Sequence, residues 1–496
     1  MKKLFTIFIL MGTVVPIEAQ RVLSLDSCRA LALRNNKQLN VSKLNKEVAI
    51  NTRKAVKTKY LPKVDASGAY QFTSREVSLL SKEQKNALSN FGSNVGGQIS
   101  NDLGPIITDL AQKGIITVGQ AQLLGNILNQ AGTSMSSALN AAGQKVRDAF
   151  RTDTRNIFVA NVLVRQPIYM GGAITAANKI AEINEDLADN NIERKTQSTL
   201  YDIDQAYWLV VSVQQKKKLA DNYLKLVKKF DEDVEKMLKQ GVATKAEKLR
   251  VDVEVNKAEM QKTQAEDGVV LSKMLLCQLC GLPLDEDITL ADENRQDLAT
   301  SDGLYQVDAK TAIDNRPELK MLQNTVDISR QNTRLIRAEY LPKVAAIGGY
   351  LISNPNVLNG YERKFSGYFH IGVAVTVPVW NWSEGKYKIA ATKAASTIAE
   401  MELSDARDKV QLQVSQNAFK VKEANKKLAM ARKNTQSAEE NLRCANLGFK
   451  EGVMQATEVI AAQTAWVESM TQKIDAEIDV KLSQVNLQKA LGTLSY

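Results

Sequence analysis

Two periodicities alternate along this chain: short stretches repeat apolar side chains at every second residue, and long stretches repeat them at every third or fourth. Val64, Ala66, Gly68, Tyr70 and Phe72 fall on one face of an extended segment, with Asp65, Ser67, Ala69, Gln71 and Thr73 on the other. Val344, Ala346, Gly348, Tyr350 and Ile352 repeat the pattern further on. In a later segment Phe369, Ile371, Val373, Val375 and Val377 oppose His370, Gly372, Ala374 and Thr376. The alternation predicts four strands, at about 64–74, 156–170, 344–353 and 368–380. A strand that spans a membrane barrel needs about ten residues with one apolar face, and a half-buried soluble sheet gives the same pattern.

Four strands cannot close a barrel, and an open sheet edge cannot face lipid, where no water satisfies its N–H and C=O groups. A membrane reading therefore needs several chains sharing one barrel, and a trimer gives twelve strands.

The helical periodicity is longest where Pro and Gly are missing, over 173–240, and over 386–451, where only Gly448 interrupts it. At 1.5 Å per residue each such helix runs about 100 Å. Shorter helices are predicted at 37–59 and 244–280 in the first half and at 318–339 and 455–491 in the second. Leu428, Ala431, Thr435, Ala438, Leu442, Ala445 and Phe449 alternate spacings of three and four, a heptad seam of mostly small side chains, and Leu219, Tyr223, Leu226, Phe230, Val234 and Met237 do so less regularly.

The chain is an internal repeat. At an offset of 280, Ala32, Asn35, Leu39 and Tyr60-Leu61-Pro62-Lys63-Val64 fall on Ala312, Asn315, Leu319 and Tyr340-Leu341-Pro342-Lys343-Val344. At an offset of 211, Pro167, Gly241-Val242, Glu247 and Gly281 fall on Pro378, Gly452-Val453, Glu458 and Gly492. The difference of 69 residues is an insertion in the first half, within about 75–155. Each half, 20–305 with an acidic linker at 281–305 and then 306–496, reads as helix, strand, strand, helix, helix.

Lys2 and Lys3, an apolar run from Leu4 to Val15 and the ending Ile17-Glu18-Ala19 read as a signal peptide over 1–19. Its removal lowers the net charge from +10 to +9. The Lys and Arg are scattered among Asp and Glu without aromatic interleaving, so nucleic acid is not an expected partner. Cys28, Cys277, Cys280 and Cys444 are too few for a disulfide framework. Cys277 and Cys280 end a helical segment without a βαβ context, so they read as small buried side chains. The single histidine, His370, reads as an inward polar residue of a strand. No catalytic set, phosphate loop or metal-ligand cluster appears, so no enzyme, metal or cofactor is expected.

With the duplication, the Tyr-Leu-Pro-Lys-Val entries to the strands, Gln166-Pro167-Ile168-Tyr169, Val377-Pro378-Val379-Trp380 and the turns at Gly241 and Gly452, the mature chain resembles the TolC-like outer-membrane efflux proteins. The resemblance implies a mainly α fold with a β-barrel portion: four transmembrane strands and long coiled-coil helices per chain. A homotrimer closes a twelve-stranded barrel in outer-membrane lipid and a periplasmic barrel of α-helices. It further implies a periplasmic adaptor and an inner-membrane transporter of RND or ABC type as partners. Gly241, Val242, Ala243, Thr244, Gly452, Val453, Met454 and Gln455 are then the hairpin tips that touch the adaptor. Glu247 and Glu458, six residues after each tip Gly, are candidates for the periplasmic constriction; Thr244 with Glu247 equally reads as a capping box. The family places an Arg two residues after the second tip Gly and an acid nine after it, where this chain has Met454 and Ala461, so a more apolar closure through Phe449 and Met454 is expected.

The insertion, lying between two strands of one hairpin, is expected to be extracellular. Three functions stay open: an exit duct for small molecules such as drugs or metabolites, an exit duct for type I protein secretion, and a periplasmic coiled-coil adaptor.

Overall fold

The computed structural model describes residues 21–76, 78–94, 106, 109–117, 119–120, 122–124, 136–152, 154–295, 297, 309–359 and 362–495. The expected signal peptide lies outside them, as do parts of the insertion and of the acidic linker. The strands are β1 (Arg21–Leu23), β2 (Lys63–Phe72), β3 (Asn156–Met170), β4 (Ile288–Leu290), β5 (Lys343–Asn354) and β6 (Ser366–Thr376). The helices of seven residues or more are α1 (Leu25–Asn35), α2 (Lys37–Lys57), α3 (Lys82–Ser89), α4 (Ser136–Ala149), α5 (Ala173–Lys239), α6 (Lys245–Cys280), α7 (Ala309–Asn315), α8 (Pro317–Glu339), α9 (Glu384–Lys450) and α10 (Ala456–Leu491). They form a helical unit, of residues up to Val56, Thr175–Arg337 and Trp382 onward, and a sheet unit, of Lys57–Ile174 and Ala338–Asn381.

In the helical unit α5 and α9 each run 67 residues without a break, Gly448 included, about 100 Å of helix. The sequence repeat is a structural one. Helix α6 ends on Gly281 and α10 on Gly492, both left-handed, with φ of 72° and 71°. A Cβ on Gly281 would lie 2.5 Å from the Cβ of Asn35, and one on Gly492 would lie 3.0 Å from the backbone of Asn315 and Arg316. Each terminal glycine thus lets its helix abut the break between α1 and α2 or between α7 and α8. In the second break Pro317 starts α8, where its missing N–H costs nothing.

Tyr207, Trp208, Val210 and Val211 of α5 form the main core with Leu276, Cys277 and Cys280 of α6, Cys28 of α1 and Ile288 and Leu290 of β4. The three cysteines are fully buried, and none of them is in a disulfide among the described residues. Within this core the Asp204 side chain, wholly buried, accepts from Arg29 Nε at 2.7 Å and Nη2 at 2.5 Å. Tyr207 donates to Asp292 at 2.7 Å, and burial holds its hydroxyl above the usual phenol range.

Residues 281–305, expected to be only a linker, contain β4, which pairs in parallel with β1 from Arg21↔Ile288 to Leu23↔Leu290. Three-residue strands are too short for a periodicity to reveal. Side chains from three helices bind the same segment: Gln215 donates to Arg295 O at 3.0 Å, Lys218 to Glu293 O at 2.9 Å, and Lys273 to Ile288 O, while Lys473 of α10 lies 3.4 Å from Asp297.

The sheet unit holds an antiparallel sheet in the order β2-β3-β5-β6, with a bulge between Pro167 and Tyr169. Strand β6 ends at Thr376, short of the expected Trp380. Thr376 faces Lys343, the first residue of β5, so the ladder has no partner beyond it, and Pro378 has no N–H to offer. In the described part of the insertion, Leu80, Leu88, Leu110 and Ile116 form a small core. There α4 passes so near α3 that a Cβ on Gly143 would lie 1.9 Å from Leu88 O.

Replacing Asp204 with Ala leaves the Arg29 guanidinium without its buried partner and should cost about 3–5 kcal/mol, read as a lowered denaturation midpoint of the purified protein.

Candidate functional site

On the sheet, register gathers the apolar positions of all four strands onto one face. Val64, Ala66, Gly68 and Tyr70 stand opposite Val164, Val162, Ala160 and Phe158. Val164, Val162 and Ala160 stand opposite Gly348, Tyr350 and Ile352, and Tyr350, Gly348, Ala346 and Val344 meet Phe369, Ile371, Val373 and Val375. This face is open: Ile371 is 84% exposed, Phe369 76% and Val64 65%. The eight residue steps from Val64 to Phe72 span about 26 Å, the height of the apolar band on a membrane barrel.

Aromatic rings mark one end, where Tyr70 meets Phe158 at 4.6 Å between centroids and Phe158 meets Phe365 at 6.1 Å. Tyr169 and Trp380, both exposed, stand near the other. The opposite face carries Asp65, Ser67, Gln71, Asn161 and Ser353. His370 is on that face too, its ring lying over Gly349, where a Cβ would come within 2.8 Å. No helix among the described residues is long and apolar enough to cross a membrane.

In the helical unit the two hairpins turn in the same way. Gly241 and Gly452 take φ of 79° and 73°, the left-handed conformation that glycine reaches without steric cost. Val242 N–H then bonds Met237 O at 2.9 Å, and Val453 N–H bonds Gly448 O at 2.8 Å. Ala243 is tucked against the core while Val242 and Val453 project, 66% and 79% exposed. Met454 folds back over Gly448, where a Cβ would lie 3.0 Å from its Cγ.

Both candidate acids are engaged by their own helix starts. Glu247 accepts from the Thr244 N–H at 2.7 Å and hydroxyl at 2.8 Å, while Thr244 Oγ1 accepts from the Glu247 N–H at 3.2 Å. These bonds hold the Glu247 carboxyl below its usual range. Glu458 accepts from the Gln455 N–H at 3.0 Å.

Phe449 lies inside the helical packing. It is buried, edge-on to Phe230 at 4.9 Å, among Val234, Val251, Leu442, Ala445 and Val459. Its place on the heptad seam, turned toward the other hairpin, is the physical reason: a seam residue packs inward. Within one chain Phe449 is thus a core residue, and Met454 is the exposed member of the pair.

Two features here had no clear signal in the sequence. Lys248 bonds both Asp231 of α5, at 2.8 Å, and Asp252 of α6, at 2.5 Å; its i,i+4 spacing to Asp252 was visible and its reach to Asp231 was not. Leu249, Arg250 and Val253 of α6, with Thr457 and Ile460 of α10, shape a shallow groove that exists only once the two helix starts lie side by side.

The family model described as outer membrane efflux protein matches residues 111–282 and 309–493. The alkaline protease secretion protein AprF of Pseudomonas aeruginosa is 22% identical over 366 residues, 71% of this chain and 75% of that protein. Among solved structures, the outer membrane protein VceC of Vibrio cholerae superposes with a TM-score of 0.70 at 12% identity, over 94% of this chain and 96% of that one. The CmeC outer membrane channel of Campylobacter jejuni does so at 0.69 and 14%, over 95% and 85%.

Because the Glu247 carboxyl titrates lower in the folded tip than in the unfolded chain, its bonds stabilise the turn fully above the unfolded value of about 4.3 and are lost as pH falls through the folded value. The protection of the Thr244–Glu247 amides, taken relative to their intrinsic exchange rates, should therefore stay high at neutral pH and fall only in acid. Thr244→Ala should remove about 1 kcal/mol of this local stability at neutral pH.

Proposed function

This chain belongs to the outer membrane efflux protein family and is an exit duct of the outer membrane, and we propose that it works as a homotrimer joined to a periplasmic adaptor. The observation that carries the trimer is the sheet itself. Strands β2 and β6 are both edges, and the apolar face runs up to each of them. In hydrocarbon every N–H and C=O of those edges needs a partner. Alternation through the sheet leaves β6 and β2 antiparallel, so β6 of one copy can pair with β2 of the next, a head-to-tail contact that closes a ring. Three copies of a four-stranded sheet give twelve strands, the number that the family resemblance implies.

The helical unit belongs to the periplasm. The turns at Gly241–Thr244 and Gly452–Gln455 present Val242, Val453 and Met454 as the adaptor contact, with the groove of Leu249, Val253 and Ile460 beside them. Glu247, Glu458 and Met454 surround the periplasmic constriction, supported from within by Phe449. An inner-membrane transporter of RND or ABC type drives transport through the adaptor, and the cargo is small molecules such as drugs or metabolites. The likeness to AprF favours a second reading, an exit duct for a secreted protein. A deletion strain separates the two: greater sensitivity to small toxic compounds supports the first, and loss of one secreted polypeptide supports the second.

Expressed protein should fractionate with the outer membrane and show about three times the chain mass in detergent; a soluble monomer would sink the duct. Ile371→Arg, in the middle of the apolar face of β6, should cost about 2–4 kcal/mol in lipid and appear as loss of the assembled form from the outer membrane.

A further inference from the structure

The four sheet strands carry three fixed cations, Lys63, Arg165 and Lys343, against one carboxylate, Asp65. All four alternate with members of the apolar face, namely Val64, Val164 and Val344, so they stand on the polar face, away from lipid. Lys63 and Arg165 are direct cross-strand partners. Like charges placed opposite one another destabilise a strand pair, so this arrangement does not serve the fold. Asp65 faces Leu163 instead of either cation. Lys343 shares the face, four residues along β5 from Ile347, the partner of Arg165. Among the described residues none of the three cations has an ion pair, and Lys63 and Arg165 are exposed.

A neighbouring copy cannot neutralise them through the ladder. The open side of β2 would be met by β6 of the next chain, and β6 contains no Asp or Glu in any register. The strands therefore bring two net positive charges per chain to the lumen, six in a trimer.

We propose that Lys63, Arg165 and Lys343 form a cationic collar inside the barrel that favours anions there, in series with the Glu247 and Glu458 carboxylates of the proposed constriction, and that its cargo class is anionic small molecules. The inference rests on the trimeric duct proposed above. Charge rings in a water-filled passage with low-dielectric walls concentrate ions of opposite sign and repel those of like sign. A carboxylate or phosphate-bearing solute gains from the collar in transit and is not held by it, because the cations sit on a solvated wall and not in a closed pocket.

Single-channel recording in planar bilayers under a KCl gradient tests this. Wild-type protein should reverse on the chloride side. Lys63→Gln with Arg165→Gln should lower the chloride-to-potassium permeability ratio by at least about twofold at low salt, with the difference shrinking as salt screens the collar. Asp65→Asn should move the ratio the other way. An open trimeric channel that prefers potassium, or whose selectivity ignores these substitutions, overturns the collar and leaves the duct standing. Absence of both trimer and conductance in the wild-type protein overturns the duct, and the collar with it.

Discussion

A sheet edge in hydrocarbon has nothing to bond with, and the rest of this molecule is arranged around that constraint. Water satisfies an unpaired strand in solution; lipid does not, and each orphaned backbone group costs several kcal/mol. The β2-β3-β5-β6 sheet exposes two such edges beside a face lined by Val64, Ile371, Val373 and their neighbours. One chain is therefore an incomplete object. In the proposed trimer its sheet finds its bonding partners in further copies of itself, and the alternation that puts the apolar side chains on one face puts Lys63, Asp65, Arg165 and His370 on the other by the same geometry.

The helical unit solves a different problem, holding helices of 67 residues against one another. Isolated helices owe little stability to propensity alone, so packing has to supply it. Small side chains along the seam allow close approach, as at Ala431 and Ala445, and Thr435 bonds its own Ala431 carbonyl at 3.0 Å and the Ser469 carbonyl of α10 at 3.2 Å. Left-handed glycines stop the helices where the chain must turn. Gly241 and Gly452 do so at the hairpin ends, Gly281 where a helix end meets the side chain of Asn35, and Gly492 where one meets the backbone of Asn315 and Arg316.

At the hairpin ends, chemistry and fold share the same residues. Glu247 and Glu458 are fixed by the N–H groups of Thr244 and Gln455, so a carboxylate held at each tip is also the cap that starts the next helix. A helix turn built from caps keeps its charges in place without a separate scaffold. Phe449 supplies the apolar floor beneath them, closed off from solvent by Phe230 and Val459.

Much of this was written in local order. Alternation revealed the strands, the lack of Pro and Gly revealed the long helices, and the duplicated Tyr-Leu-Pro-Lys-Val segments revealed the two-fold plan, because each signal depends only on near neighbours in the chain. The capping box at Thr244 and Glu247 was legible for the same reason. Contacts between distant segments were not. The pairing of β1 with β4 and the bond from Arg29 to Asp204 depend on which surfaces meet, and no local pattern encodes that. Lys63 and Arg165 illustrate the division. Their identities and faces follow from alternation within each strand, but only the register of β2 on β3 sets them opposite each other, because cross-strand distance is decided by hydrogen bonding between segments about a hundred residues apart.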